Sequence, residues 1–419
     1  MINQLLKGKF DCACGKAHTC DIKHVIIKSG AADEVHTLCG GYNSIVICAD
    51  KNTFATCGER VVASLGDKVE YVKVFECDGF LIPNEDAIDE LDSVVSNKTD
   101  LIIGIGSGVI NDLCKYVSFK NGIRYYIVAT APSMDGYASV GAAMITGGMK
   151  TTFNARVPEA IIGDVDVLKD SPMDMIKSGF GDIIGKYSAL NDWKLAHLVI
   201  DEYFCQYVYD LTYDTVIKTK ELADGIEKRD PETIKTLMEA LVIVGIAMAY
   251  VDNSRPASGS EHHLSHYFEI TGIIKGRDYL NHGLDVVYST VETQALREKI
   301  LALGKCPEKM YQFDRDSWVG AINESYGSAA DGVIALQDKM NYYGRGLEKV
   351  YREKWDGIRE ILSEVPSVRE LNEILATAGL DFEFYNKFYG RDVIEDADLY
   401  AKDLKDRYTV LWLYFSLFK

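Results

Sequence analysis

Short apolar runs set the rhythm of the first 130 residues. They are "HVIIKSG" (24–30), "SIVICAD" (44–50), "VEYVKVFE" (69–76), "DLIIGIG" (100–106) and "RYYIVAT" (124–130). Each is rich in β-branched or aromatic residues. Segments with helical spacing separate them, such as 53–65 and 84–96. This alternation predicts βαβ units and a largely parallel sheet. After about residue 170 the period changes. "MDMIKSGFGDIIGKYSALNDWKLAHLVI" (173–200), 233–252, 284–303 and 367–379 read as helices with little strand between them. Asp, Ser and Pro interrupt the pattern at "LKDSPMD" (168–174), which marks a boundary. The expectation is an N-terminal α/β domain over 1–170 with a Rossmann-like parallel sheet, then an all-α C-terminal domain over 171–419.

Composition agrees with a folded two-domain chain. Of 419 residues, 47% are hydrophobic and 26% charged, which is ordinary for a globular protein. The formal charge of −18 argues against nucleic acid or an anionic membrane as partner, because phosphate contacts need clustered Lys and Arg. The opening "MINQLLKGKF" lacks the apolar stretch and cleavage site of a secretory leader. Reduced thiols in a cytoplasmic protein are therefore expected for the 10 cysteines. The longest apolar run, "ALVIVGIAMAYV" (240–251), is too short for a membrane span and reads as a buried core helix.

Two loops carry candidate nucleotide chemistry. In "LIIGIGSGVINDLCKY" a strand runs into Gly104, Gly106 and Gly108 and then a helix, so backbone amides at the helix start face a phosphate. The turn follows the fourth predicted strand, not the first, and lacks the GxGxxG spacing of the usual dinucleotide fingerprint. Asp50, ending "SIVICAD", is a candidate acceptor for an adenosine ribose, which would favour NAD over NADP; as a solvated loop carboxylate it would do neither. The second loop, "TAPSMDGYAS" (130–139), offers the hydroxyls of Thr130, Ser133 and Ser139 and the carboxylate of Asp135. Pro and Asp-Gly also make good turns. Its place after a strand, beside the glycine turn at the same end of a parallel sheet, favours the functional reading.

The chain has 8 histidines, and three of them stand in "GSEHHLSH" (259–266). His262 and His266 are four apart and share one helix face. His263 points elsewhere and reads as structural or exposed. Ser260 is a candidate N-cap. His282 follows in "YLNHG". Two imidazoles need a third ligand to hold a divalent cation with an open position. Asp182, in the first turn of the helix predicted after "SGFG", is a candidate; the helix dipole alone would also suit an acid there. Asp with two His suits zinc, and also nickel or iron.

"FDCACGKAHTC" (10–20) concentrates Cys12, Cys14, His18 and Cys20. It lacks the paired CxxC spacing of a zinc ribbon, so it reads as an N-terminal hairpin with incidental thiols. "RYTVLWLYFSLF" (407–418) reads as a buried or dimer-contacting helix, since exposed apolar area of that size is a liability in a monomer.

Taken in order, "GIGSGVINDLCKY", "TAPSMDGYAS", "GFGDIIGKYSALNDW", "DNSRPASGSEHHLSH" and "LNHG" resemble the sn-glycerol-1-phosphate dehydrogenase family, in its bacterial branch. That family sits in the superfamily of dehydroquinate synthases and iron-containing alcohol dehydrogenases, so the resemblance implies a dehydroquinate synthase-like fold. It implies an NAD(P)-dependent, metal-dependent interconversion of dihydroxyacetone phosphate and sn-glycerol 1-phosphate. The residues implied for the nicotinamide cofactor are Gly106, Ser107, Gly108, Val109, Ile110, Thr130, Ala131, Pro132, Ser133 and Ser139. Asp135 would contact substrate. Asp182, His262 and His282 would be metal ligands, with Asp182 also near the substrate. His266 would contact substrate or relay a proton. A homodimer in the cytoplasm is implied too. Some iron-using relatives carry a second histidine four residues after the ligand aspartate. Here that position is Lys186, which favours zinc, then nickel, over iron. Lys150, Arg156, Lys186 and Arg255 are candidates for the substrate phosphate. The alternative activity is a glycerol, polyol or alcohol dehydrogenase of the same superfamily. A dehydroquinate synthase-type lyase is disfavoured, because that family's ligand is usually Glu with Lys three residues on, whereas here Lys186 lies four after Asp182. A noncatalytic metal- or nucleotide-binding protein fits the intact Asp–His–His set least.

Overall fold

The computed structural model describes residues 2–6, 8–76, 81–146 and 149–419, the side chains of 149 and 150 excepted. They fall into two compact units. The first is Met1–Ile183 with Ile217–Ser254, and the second is Ile184–Val216 with Arg255–Lys419.

The strands all lie in the first unit. They are β1 (Phe10–Asp11), β2 (Ala17–His18), β3 (His24–Lys28), β4 (Ile45–Asp50), β5 (Val69–Phe75), β6 (Leu101–Gly106), β7 (Arg124–Ala129), β8 (Gly141–Thr146), β9 (Met149–Asn154) and β10 (Ala160–Asp164). The helices that position the site are α1 (Gly108–Lys120), α2 (Met173–Ile184), α3 (Lys186–Ile200), α4 (Pro231–Val251), α5 (Ser260–Lys275) and α6 (His282–Ala302), and α7 (Val410–Phe418) closes the chain.

Six strands form a sheet in the order β3–β10–β7–β6–β4–β5, every neighbouring pair parallel. The five apolar runs become β3 to β7. All of β6 is buried, as is β4 from Ile45 to Ala49, so these central strands are covered on both faces. β5, at the edge, mixes buried and exposed positions and carries Glu70 and Lys73. Two features escaped the sequence pattern. β10 completes the sheet between β3 and β7, and β8–β9 form a separate antiparallel hairpin. β8 is built on Gly, Ala and Met (GAAMIT), which give little strand signal.

The chain places β5 on one side of β4 and β6 on the other. The connections leaving β4 and β6 therefore diverge. A parallel sheet opens a ligand crevice at the C-terminal ends of such a strand pair. Asp50 ends β4 and Gly106 ends β6, so both stand at that switch point.

α4 is longer than its apolar run. Pro231 fills its first position, and the Asp230 carboxylate caps it by accepting from Thr233 N at 2.9 Å. At 21 residues it is long and apolar enough to cross a bilayer, yet 78% of its apolar window is buried inside the fold. It is a core helix, and it belongs to the first unit although it follows residue 170.

The second unit is helical throughout. α7 buries Val410, Leu413 and Trp412 in a core with Tyr342, Tyr351, Trp355 and Tyr408. Burial within its own unit accounts for Val410 to Leu413 and Phe415, while Phe418 stays exposed.

Candidate active site

In the first unit the glycines of "GIGSG" serve packing as much as ligand approach. A Cβ on Gly106 would lie 2.6 Å from Ile110 Cβ, and one on Gly104 would lie 2.9 Å from Cys114 Sγ. Their absence lets α1 press against β6. Ser107 is the N-cap but its side chain makes no capping bond, so the first amides of α1 are not satisfied by it. Asp50 does cap: its Oδ1 accepts from Asn52 N and Thr53 N, both at 2.9 Å. One of its two oxygens thus has a structural role.

The loop after β7 is held from both sides. Thr130 N donates to Gly106 O at 3.1 Å, tying it to the glycine turn. Tyr137 Oη donates to Ala131 O at 2.7 Å. Ser139 Oγ donates to Gly136 O at 3.1 Å, so this hydroxyl shapes the loop. Sequence reasoning missed the group that organises the far end. Lys115, fully buried on α1, donates to Gly136 O at 2.9 Å and Gly141 O at 2.7 Å, beside Asp112 at 3.3 Å. Burial lowers its pKa, and Asp112 works against that shift. Asn111, Asp112 and Lys115, placed within little more than one turn of α1 among buried apolar residues, were the available signal.

α2 carries Asp182, in its last turn and not its first as the pattern predicted. Helix dipole stabilisation therefore does not explain the acid, since a carboxylate is favoured only at the other end. Asp182 is fully buried, and its Oδ2 accepts from the backbone N of Asp135 at 2.9 Å. One turn earlier, Ser178 Oγ donates to Ser133 O at 3.1 Å. A Cβ on Gly179 would stand 1.8 Å from Pro132 O. Glycine there lets α2 lie directly on the 130–135 backbone, so the cofactor-type loop and the carboxylate are positioned together.

In the second unit three histidines converge. The ring centroids of His262 and His282 are 5.0 Å apart, those of His266 and His282 5.8 Å, and those of His262 and His266 6.2 Å. His262 is buried and the other two are half-buried. His262 Nδ1 donates to Glu261 Oε1 at 2.7 Å, and the same oxygen accepts from Gly259 N at 2.8 Å. This fixes the His262 tautomer and turns its Nε2 lone pair outward from the carboxylate, an arrangement typical of metal-ligating histidines. Burial raises the Glu261 pKa. Ser265 Oγ lies 3.5 Å from His282 Nδ1. His263 is fully buried, and burial keeps its pKa well below the usual imidazole value, so it is a neutral core residue and not an exposed one.

Ser260 is not the N-cap of α5. Gly259 takes that position, and the Ser260 amide is satisfied by Asp192 Oδ2 at 2.6 Å. Asp192 is itself buried against Arg297, whose Nη2 donates to Oδ1 at 3.0 Å, and it also accepts from Val410 N at 2.8 Å. A buried ion pair thus anchors the start of the histidine helix.

Two of the four phosphate candidates are committed elsewhere. Arg255 is buried and bonds Glu202 through Nε at 2.6 Å and Nη2 at 2.9 Å. Arg156 donates to Ile123 O at 3.4 Å, at the end where β7 begins, opposite the glycine turn. The side chain of Lys150 lies outside the described residues. Lys186 opens α3 and is buried.

Over 346 residues, 81% of this chain and 78% of the relative, the sequence is 34% identical to glycerol-1-phosphate dehydrogenase [NAD(P)+] of Geobacillus stearothermophilus. The chain belongs to the glycerol-1-phosphate dehydrogenase family. The Halalkalibacterium halodurans member is 37% identical over 260 residues, 61% of this chain and 65% of the relative, just under two thirds of its length. A family model described as iron-containing alcohol dehydrogenase matches residues 26–172. Among solved structures, sulfoacetaldehyde reductase from Bifidobacterium kashiwanohense in complex with NAD+ superposes with a TM-score of 0.63 at 11% identity, covering 95% of this chain and 97% of that one. At that identity the likeness concerns the fold. Both the α/β unit with its parallel sheet and the helical region are those expected of the glycerol-1-phosphate dehydrogenase family.

Proposed function

We infer that this chain interconverts dihydroxyacetone phosphate and sn-glycerol 1-phosphate by hydride transfer, using NAD or NADP and one divalent metal. The observation that carries the reading is the convergence of His262, His266 and His282, with Glu261 fixing His262, in a chain whose relatives carry that activity in their names. Asp182, His262 and His282 are the proposed ligands. One carboxylate and two imidazoles fit zinc, then nickel or iron. The fit is supported by the bonds that already orient Asp182 and His262 through their other atoms. When bound, such a cation supplies Lewis-acid polarisation of a substrate oxygen.

The chain's own residues do the rest. Gly106, Ser107, Gly108, Val109 and Ile110 present the start of α1 to the cofactor's phosphates. Thr130, Ala131, Pro132, Ser133 and Ser139 form the adjoining wall, and Asp50 is assigned to the adenosine ribose. Asp135 contacts the substrate. His266 carries the proton to and from the C2 oxygen, the task an imidazole performs best near neutral pH. Holding hydride donor and carbonyl together accounts for much of the rate. A cytoplasmic homodimer belongs to the same proposal and rests on the family resemblance.

Nicotinamide absorbance tests this. Metal-stripped protein, reloaded with zinc, nickel or iron, is expected to oxidise NADH or NADPH with dihydroxyacetone phosphate, and to oxidise glycerol 1-phosphate far faster than glycerol. Silence with every metal overturns the activity. A preference for glycerol moves the reading to a polyol dehydrogenase. An Asp182→Ala variant with full metal content and rate overturns the ligand set.

A further inference from the structure

The N-terminal hairpin is the one concentration of ligand-type residues in the sequence that the dehydrogenase reaction leaves without a role. β1 and β2 are two residues each, paired Phe10 with His18 and Asp11 with Ala17. A ladder that short has no stability of its own. Its turn is nevertheless tightly specified. Cys12 N donates to Lys16 O and Gly15 N to Cys12 O, both at 3.0 Å, and Gly15 adopts φ +85°. The turn brings Cys12 and Cys14 to the same side as His18. One ligand atom from each of the three lies within 4.8 Å of the others.

His18 is arranged as a ligand. It is fully buried, and its Nδ1 donates to the backbone carbonyl of Tyr250 at 2.7 Å. That bond fixes the tautomer and leaves the Nε2 lone pair directed at the thiols, the same outer-shell device that orients metal-bound imidazoles generally. Nε2 stands 3.4 Å from Cys14 Sγ. Zinc–sulfur and zinc–nitrogen bonds of about 2.3 and 2.0–2.1 Å at the tetrahedral angle put the two ligand atoms about 3.5 Å apart. The observed separation is therefore already that of two corners of a zinc tetrahedron.

We propose that Cys12, Cys14 and His18 bind a structural zinc ion, separate from the metal of the reaction, that fastens the N-terminal hairpin to the end of α4. Binding displaces the two thiol protons to solvent and makes two thiolate–zinc bonds and one imidazole–zinc bond, so the two thiolates neutralise the dication. A structural zinc takes four donors, and the fourth position is filled by a further thiolate or a water. The attachment point is well prepared. Tyr250, near the C-terminal end of α4, packs edge-on against Phe10 at 5.4 Å and its Oη donates to Leu5 O at 2.6 Å. The spacing differs from the paired CxxC of a zinc ribbon because a single turn and the returning strand supply all three donors.

The test uses the full chain and cobalt as a spectroscopic substitute for zinc. The Asp182–His262–His282 set contains no sulfur, so thiolate-to-cobalt charge-transfer absorption in the near ultraviolet reports on the hairpin alone. Cobalt-loaded wild-type protein is expected to show that absorption, and zinc-replete protein to hold about two zinc ions per chain. The C12S/C14S double variant is expected to lose one zinc and the absorption, to melt several degrees lower, and to keep its kcat. Absence of the thiolate absorption in cobalt-loaded wild type overturns the proposal, whether or not the variant folds. So does a C12S/C14S protein with the zinc content of wild type.

Discussion

Glu261 holds two groups with one oxygen, the amide of Gly259 and Nδ1 of His262. The first bond shapes the entry to α5, and the second sets which nitrogen of His262 faces the site. Removing the carboxylate should therefore do more than loosen a helix end. Glu261→Ala is expected to weaken metal binding about 10–100-fold, the usual cost of losing such an outer-shell partner. Glu261→Gln keeps an acceptor oxygen and should stay close to wild type. Competition against a chromophoric chelator measures both. A Glu261→Ala protein that melts lower but binds metal as tightly as before would reduce Glu261 to a helix-entry residue. At this scale the sequence was most readable where side-chain chemistry is distinctive. His262 and His266 could be paired from their spacing alone, and their rings do stand 6.2 Å apart. Glu261 and Lys115 were not readable, because their roles come from partners that only folding supplies: for Glu261 a ring orientation, for Lys115 carbonyls 21 and 26 residues away.

α2 is the element that positions Asp182 and the 130–135 loop within the first unit. Its backbone lies so close to Pro132 that position 179 admits no side chain. Two effects oppose each other in Gly179→Ala. Helix propensity favours alanine by about 1 kcal/mol. The new Cβ, however, meets a backbone carbonyl at 1.8 Å, which no rotamer change relieves. Overpacking of this kind costs about 1–3 kcal/mol or more, so the net sign is destabilising. Moving α2 away also shifts the 130–135 loop and Asp182, so weaker nicotinamide binding is expected together with the lower melting temperature. NADH fluorescence titration and thermal melts on the same preparation check the pair. A variant that melts higher would mean that the close approach does not exist. Elements were legible in proportion to how local their signal was. Runs such as "LIIGIG" announce a strand by themselves. β10 (AIIGD) is a shorter run that ends in an aspartate, and its place between β3 and β7 depends on partners more than 130 and 30 residues away in sequence, respectively. The return of Ile217–Ser254 to the first unit has no local signal, so a boundary drawn from composition at 170 does not find it.

The whole molecule carries 63 acidic against 45 basic residues, so at neutral pH it repels itself. Mild acidification relieves that repulsion. Loss of stability in acid must then come from particular carboxylates whose ionised form the fold favours. Glu159 is the clearest in the first unit. Its backbone joins three strands: its carbonyl accepts from Lys23 N and His24 N at the start of β3, and its N donates to Tyr125 O in β7, just before β10 begins. Its buried carboxylate bonds Tyr42 Oη at 2.7 Å, Lys23 Nζ at 3.0 Å and Arg124 Nε at 3.4 Å. Burial alone would raise its pKa, but the Tyr42 hydroxyl and the two cations outweigh that and hold it below the usual carboxylate value. A pKa lower in the folded than in the unfolded chain means stability that is fully present above the unfolded value, about 4.3, and lost as pH falls through the folded value. Lys23 and Arg124 are 58% and 48% exposed, so solvent screening limits the contribution. Glu159→Gln is expected to cost about 1–2 kcal/mol at pH 7. The difference from wild type should start to shrink as pH drops below about 4.3 and close once pH is below the folded value, where both proteins carry an uncharged side chain. Denaturant melts across that range read the convergence directly. A gap that stays constant with pH would show that the glutamine perturbs packing, and that the ionised carboxylate does not hold the three strands together.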